Sequence, residues 1–231
     1  MKYVLKKKPK GATIIQGFPC IGLVSTITTK FLIDHLKVEQ IGHFESERLV
    51  PLTAIHNSQI VEPISVYYNQ KYNIIIIQAL AEVKGIEWEL ADAILKMASE
   101  LKSKEIISIE GTPGQSQNIS VFYHSNKNKK LNIQPIQEGI VMGVIAAMLL
   151  KTESKMPITC LFGETHSQLP DSESAANVIK VLDDYLKLKV DFKPLLAQAK
   201  VFEEKLKQFV SKAQDTQQAM GKKDSRDSYF G

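Results

Sequence analysis

The sequence predicts an α/β fold, a three-layer sandwich in which a mostly parallel mixed sheet carries helices on both faces. Two observations predict it. Strand-like and helix-like runs alternate from about residue 12 to residue 190, the pattern of a sheet covered on both sides. The run Ile74-Ile75-Ile76-Ile77 is continuously apolar, as a strand buried on both faces reads, where a half-solvated strand would alternate.

Ala12 to Gln16 is a β-rich run, followed by the loop Gly17-Phe18-Pro19-Cys20-Ile21-Gly22 and by a helical pattern with Leu23, Ile27 and Phe31 at fourfold spacing. Further strands are predicted at Gln40 to Phe44, Ile64 to Tyr68 and Tyr72 to Gln78, the last two joined by Asn69-Gln70-Lys71, a connection of hairpin length. A helix from Ile86 to Lys102 places Trp88, Ala91, Leu95 and Ala98 on one stripe. Glu105 to Glu110 returns as a central strand ending in Gly111-Thr112-Pro113-Gly114. Ile119 to Tyr123 reads as a strand, Gly139 to Leu150 as an apolar helix, and Pro157 to Phe162 as a last strand ending at Gly163-Glu164. Asp171 is placed to cap a helix that turns Ala175, Val178, Ile179, Leu182 and Leu186 toward the core. These elements make one domain over residues 1–190.

Pro194 suits a first helical turn, and behind it Leu195, Ala199, Phe202, Leu206, Phe209 and Ala213 recur at three or four residues. An amphipathic helix is predicted over residues 191–213. Its other face mixes Lys200, Lys205 and Lys207 with Glu203 and Glu204, which suits packing on protein rather than on lipid. Residues 214–231 read as a flexible tail too polar to offset its ordering entropy, yet the segment ends in Tyr229-Phe230-Gly231.

Composition excludes several classes. The 231 residues carry 29 Lys plus Arg against 25 Asp plus Glu, a net charge of +4, and 44% are hydrophobic, enough for a packed core. The longest nearly uninterrupted apolar stretch, Gly139 to Leu150, is shorter than the roughly 20 residues a membrane helix needs. Gln16, Gly17 and Pro19 interrupt the apolar segment behind Lys6-Lys7-Lys8, so a signal peptide is not expected and the protein reads as cytoplasmic. The two cysteines, Cys20 and Cys160, lie far apart and make neither a disulfide scaffold nor a zinc knuckle. His35, His43, His56, His124 and His166 show no metal-binding spacing. The lysine clusters at Lys6-Lys7-Lys8, Lys127-Asn128-Lys129-Lys130 and Lys222-Lys223 come without a recognition helix or an aromatic-basic RNA motif. They read as solvated surface, and no nucleic acid is expected.

Three features could carry chemistry. The loop with Gly17, Phe18, Pro19 and Gly22 follows a strand and opens a helix, where α/β folds place anions on free backbone N–H groups. It has no Gly-Lys-Ser/Thr and lacks the middle glycine of the dinucleotide fingerprint, so a tight turn that lets the helix pack on the sheet is the commoner reading. Cys20 stands where a helix dipole would favour its thiolate, although a buried cysteine acting as a small hydrophobe is more usual. Glu82, Glu110 and Glu164 fall near predicted strand ends, where a pair could serve as acid and base or simply cap the sheet.

The strand-loop start Gly17-Phe18-Pro19-x-Ile21-Gly22-Leu23-Val24 and Leu32-Ile33-Asp34-His35-Leu36 begin a wider pattern. Ile109-Glu110-Gly111-Thr112-Pro113, Gly139-Ile140-Val141-Met142-Gly143, Gly163-Glu164-Thr165 and Ala175-Ala176 continue it. Over about residues 11–198 the sequence resembles the archaeal members of the proteasome assembly chaperone family. Most family sequences carry a glycine where this chain has Cys20. The resemblance implies an α/β domain related in architecture to nucleoside phosphorylases, with no established catalytic site and no cofactor. It also implies a partner, the α-subunits of the proteasome core particle.

Several proteasome-binding proteins end in a hydrophobic residue, a tyrosine and any residue, a tail that enters pockets between α-subunits. Tyr229 would then be the hydrophobe, Phe230 would take the tyrosine position and Gly231 would carry the carboxylate. Phe230 lacks the phenolic hydroxyl, a loss of one hydrogen bond worth roughly 0.5–1.5 kcal/mol. A coil of about ten residues from Gly221 would reach on the order of 15–20 Å, and a homo-oligomer would add avidity. Two functions follow as expectations: an ATP-independent assembly chaperone or proteasome-binding protein, or a nucleoside-phosphorylase-like or ATP-grasp-like enzyme using strand-end carboxylates.

Overall fold

A computed structural model describes residues 1–56, 58–80, 82–114, 119–152, 155–194 and 196–197. The chain divides into a body, Met1–Phe192, and a second unit, Lys193–Gly231. Apart from residues 193, 194, 196 and 197, that second unit lies outside the described residues, including most of the helix and all of the tail expected there.

The body holds eleven strands and four helices among its described residues. The strands are β1 (Lys2–Leu5), β2 (Thr13–Gly17), β3 (Glu39–Glu45), β4 (Ala54–His56), β5 (Gln59–Val61), β6 (Ile64–Asn69), β7 (Ile74–Ala79), β8 (Glu105–Pro113), β9 (Val121–Ser125), β10 (Gln134–Pro135) and β11 (Ile158–Thr165). The helices are α1 (Val24–His35), α2 (Glu87–Glu100), α3 (Gly143–Lys151) and α4 (Ser172–Leu186). Nine strands form one mixed sheet in the order β1-β3-β6-β7-β2-β8-β11-β9-β10, while β4 and β5 form a separate hairpin. The centre, β7-β2-β8-β11, is parallel, and antiparallel pairs flank it.

The apolar runs explain the centre. Ile15, Ile76 and Ile107 stand in register across β2, β7 and β8, and their neighbours Ile14, Ile75 and Ile106 point to the opposite face. All six are buried. Ile14, Ile75 and Ile106 join Leu90, Ile94, Ile145 and Met148 of α2 and α3 in one core. On the other face α1 packs against α4 and against β2, β7 and β8. α4 in turn lies close on β11: a Cβ on Gly163 would stand 2.7 Å from Ser174 Oγ and 3.0 Å from Val178 Cγ2.

Element boundaries depart from the sequence expectation where side chains face water. The buried stripe of α2 is Leu90, Ala91, Ile94, Met97 and Ala98, and Trp88 is 53% exposed, under the Lys151 ammonium 5.4 Å from its ring centre. α3 begins only at Gly143, whose φ is +74°. Before it Ile140 and Met142 are 93% and 77% exposed, and the first four residues of the apolar run that reads as helix, 139–142, are not helical. The strands β1, β4, β5 and β10, which the apolar pattern does not announce, are short or at the sheet margin.

Candidate functional site

The chain leaves β2 through α1 toward β3 on one side of the sheet and arrives at β8 on the other. The topological switch therefore falls at the β2/β8 pair, and α/β folds place ligands beyond the C-terminal ends of such strands. Three of the sequence-singled features meet there: the loop after β2, Glu110 near the end of β8, and Glu164 on β11.

The loop is fitted to the sheet through main chain. Gly17 has no room for a side chain, since a Cβ would meet Ser25 O at 2.6 Å and Thr29 Cγ2 at 2.7 Å. Phe18 is buried in the core with α2 and α3, and its carbonyl accepts a hydrogen bond from the Ser25 hydroxyl. Pro19 and Cys20 are half-buried. The Gly111 N–H donates to Cys20 Sγ at 3.2 Å, and a Cβ on Gly111 would overlap Ile21 O at 2.0 Å. The loop thus lies directly on the end of β8. Gly22, at φ +65°, forms part of a 3-10 turn over Ile21–Leu23, and a Cβ there would meet Thr165 Cγ2 at 2.6 Å. Its carbonyl accepts the Asp171 N–H at 2.9 Å. Each of these glycines is accounted for by close packing or by a left-handed turn.

At Cys20, burial outweighs the help that the first turn of α1 gives the thiolate through Ser25. Burial pushes its thiol up, hydrogen bonds from Ser25 and Gly111 oppose that shift, and the Glu110 carboxyl adds to it. A thiol held protonated is a poor nucleophile. Cys160, fully buried on β11, is pushed up to about 12 by burial and by Glu110.

The three carboxylates do not form an acid-base pair. Glu82 is exposed in the loop after β7 and lies 2.6 Å from Lys84 Nζ. Glu164 Oε2 accepts the Ser120 N–H at 2.9 Å, and the Glu164 N–H returns a bond to Ser120 O at 3.0 Å, so this side chain ties β11 to the segment before β9. Glu110 pairs in register with Phe162 and makes no side-chain hydrogen bond or ion pair among the described residues. As a residue it is half-buried, but its carboxyl sits deep enough that burial raises its pKa from 4.5 to about 8.

A further arrangement borders the loop. Asp171 Oδ1 caps α4 by accepting the Ser174 N–H, and Oδ2 lies 2.9 Å from both the backbone N and the Nδ1 of His166. The cap is legible in the sequence. The His166 contact is not, because it joins two loop positions that share no periodicity. No group of three or more His, Cys, Asp or Glu suited to a metal ion occurs among the described residues. None of the helices among the described residues is long and apolar enough to cross a membrane. Tyr229, Phe230 and Gly231 lie outside the described residues.

A mixed sheet with a parallel centre, crossed at its switch point by a Gly-Phe-Pro loop packed on a strand-end glycine, defines an α/β protein of one particular architecture. The PAC2 family model matches residues 14–210, and the chain belongs to the PAC2 family. Uncharacterized protein MJ0106 of Methanocaldococcus jannaschii is 29% identical over 220 residues, with 90% of each chain covered. Pyrococcus furiosus PbaA, an archaeal homolog of proteasome-assembly chaperone, is 26% identical and superposes with a TM-score of 0.81 over 100% of both chains. Pyrococcus furiosus PbaB, an archaeal proteasome activator, shares the fold at 22% identity and a TM-score of 0.74, with 90% of this chain and 98% of PbaB covered.

Proposed function

We propose that this chain is a cytoplasmic, ATP-independent binding protein of the proteasome assembly chaperone type, which engages α-subunits of the proteasome core particle. The observation that carries this reading is its similarity to PbaA along the whole of both chains, together with membership of the PAC2 family. The geometry at the strand ends supports a role without chemistry. Cys20 is held as a thiol, Glu164 serves a backbone N–H, and Glu82 is paired at the surface.

In this reading the tail supplies the contact. The Gly231 carboxylate pairs with a lysine of the α-subunit pocket, the Phe230 ring fills an apolar slot, and Tyr229 adds buried area. A homo-oligomer presents several tails at once, so weak single contacts add through effective concentration. Deleting Tyr229-Phe230-Gly231 is expected to weaken capture of purified α-rings in a pull-down. Undiminished capture rejects the tail as the docking element.

The unpartnered Glu110 carboxyl favours one second reading, a phosphorylase-like or ATP-grasp-like enzyme with its ligand at the switch point. Millimolar phosphate, ATP or a nucleoside would then raise the melting temperature by linkage, since a ligand at 100 times its Kd stabilises by about 2.7 kcal/mol. A flat melting temperature across all three removes that reading.

A further inference from the structure

A groove of about 300 Å³ opens at the opposite margin of the sheet from β1, between the end of β9 and the turn that follows it. Its apolar wall is Tyr123, Pro135 and Ile136, and its rim carries His124, Asn128 and Lys130. The size is at the lower end of the roughly 300–1,000 Å³ of ligand sites, room for the side chains of a short segment.

The groove is held open by its own framework. Asn126 anchors the turn to the start of β11, donating from Nδ2 to Met156 O and accepting the Ile158 N–H, both at 2.9 Å. Lys129 anchors the far side: its ammonium lies 2.9 Å from the buried Glu105 carboxylate and 4.6 Å from the centre of the Tyr185 ring. Lys129 is thus a structural bridge, where the sequence alone suggests solvated surface. With Asn126 and Lys129 committed, Lys127 and Lys130 are exposed and make no side-chain hydrogen bond or ion pair among the described residues. Among the described residues, the carboxylate bound to this turn is Glu105, already shared among Lys129, Thr159 and Tyr185.

The backbone bounds the open end of the groove. β10 covers β9 for two residues only, Gln134 against Phe122 and Pro135 against Tyr123, with the Ile136 N–H closing on Tyr123 O at 2.8 Å. Past that point β9 continues through His124 and Ser125, paired to β11 on one side and, among the described residues, to no strand on the other; the Ser125 carbonyl accepts the Asn128 N–H at 3.3 Å. A margin whose carbonyl is already taken by its own turn offers side chains rather than a free ladder, so the apolar wall and the lysines make the recognition surface.

We propose that this groove docks an extended acidic segment of a partner protein, aligned along His124 and Ser125, with its carboxylates on Lys130 and Lys127 and an apolar side chain against Tyr123 and Ile136. Charge complementarity selects the occupant: Lys130 on the rim and Lys127 in the adjoining turn are exposed, uncommitted ammonium groups beside an apolar wall, against one exposed carboxylate nearby in the chain, Glu138. This interaction is separate from the tail and does not depend on it.

The test uses the full-length protein and fluorescence anisotropy of a labelled Gly-Glu-Glu-Phe-Glu-Glu-Gly peptide. Binding is expected to fall at least tenfold in Lys130→Glu, and at least tenfold when every Glu of the peptide is replaced by Gln. It should stay within twofold in Lys71→Glu, an exposed lysine in the β6–β7 turn. No detectable binding of the acidic peptide overturns the proposal. An equal loss in Lys71→Glu also overturns it, because attraction would then come from overall charge. Oligo-dT that displaces the peptide and is itself weakened by Lys130→Glu would assign the groove to nucleic acid instead.

Discussion

At the scale of single residues, Gly111 is the most constrained position of the strand-end region. Any Cβ there collides with the Ile21 carbonyl, a main-chain atom that cannot rotate away. Gly111→Ala is therefore expected to lower stability by about 1–3 kcal/mol, the usual cost of overpacking, measured by urea denaturation. Glu110 offers the opposite experiment. Its pKa is 4.5 when exposed and about 8 in the fold, so the folded state holds this proton to higher pH than the unfolded chain does. Below pH 4.5 both states are protonated and nothing is lost; through the interval up to about 8 the fold loses stability as the unfolded chain ionises first. Glu110→Gln, which cannot ionise, should melt higher than the parent at pH 8 and equally at pH 4.5 by calorimetry. A constant difference across that range would show that the effect is not ionisation.

At the scale of elements, Asp171 does two jobs, and its removal should be felt in α4. Asp171→Ala is expected to cost about 1–2 kcal/mol, the range for lost N-caps, while Asp171→Asn keeps an acceptor for the Ser174 N–H and should recover most of it in the same denaturation assay. This cap was legible because an Asp ahead of a 3.6-residue apolar pattern is a local signal. The central strands were legible for a similar reason, as Ile74 to Ile77 can satisfy a two-sided burial only in the middle of a sheet. The phase of α2 was not. Trp88 invites a stripe built on the largest apolar residue, whereas burial follows Leu90, Ile94 and Met97, which face the core once the helix lies on the sheet. Ile140 and Met142 misled in the same manner, since an apolar residue carries no mark of whether neighbours cover it. β10 could not be foreseen, because two residues ending in Pro135 have no periodicity to read.

At the scale of the whole molecule, the nine-stranded sheet and both helical layers close their core within Met1–Phe192. A chain ending at Phe192 is expected to fold cooperatively, with a melting temperature within a few degrees of the full-length protein, and to lose α-ring capture under the proposed function. Scanning calorimetry and the pull-down test the two halves separately. The loop after β2 and the strand-end carboxylates could be located from sequence order, because the end of a strand is a position along the chain. What each does could not, since Glu110 and Glu164 differ only in which backbone N–H groups come near them in three dimensions.

The contact between the Ile21 carbonyl and Gly111 also bears on redesign. The gap beside the end of β8 is filled by peptide units, so trimming side chains will not hollow it out. Anyone wishing to install a small-molecule pocket at this position would have to shorten or rebuild the segment from Gly17 to Gly22 itself.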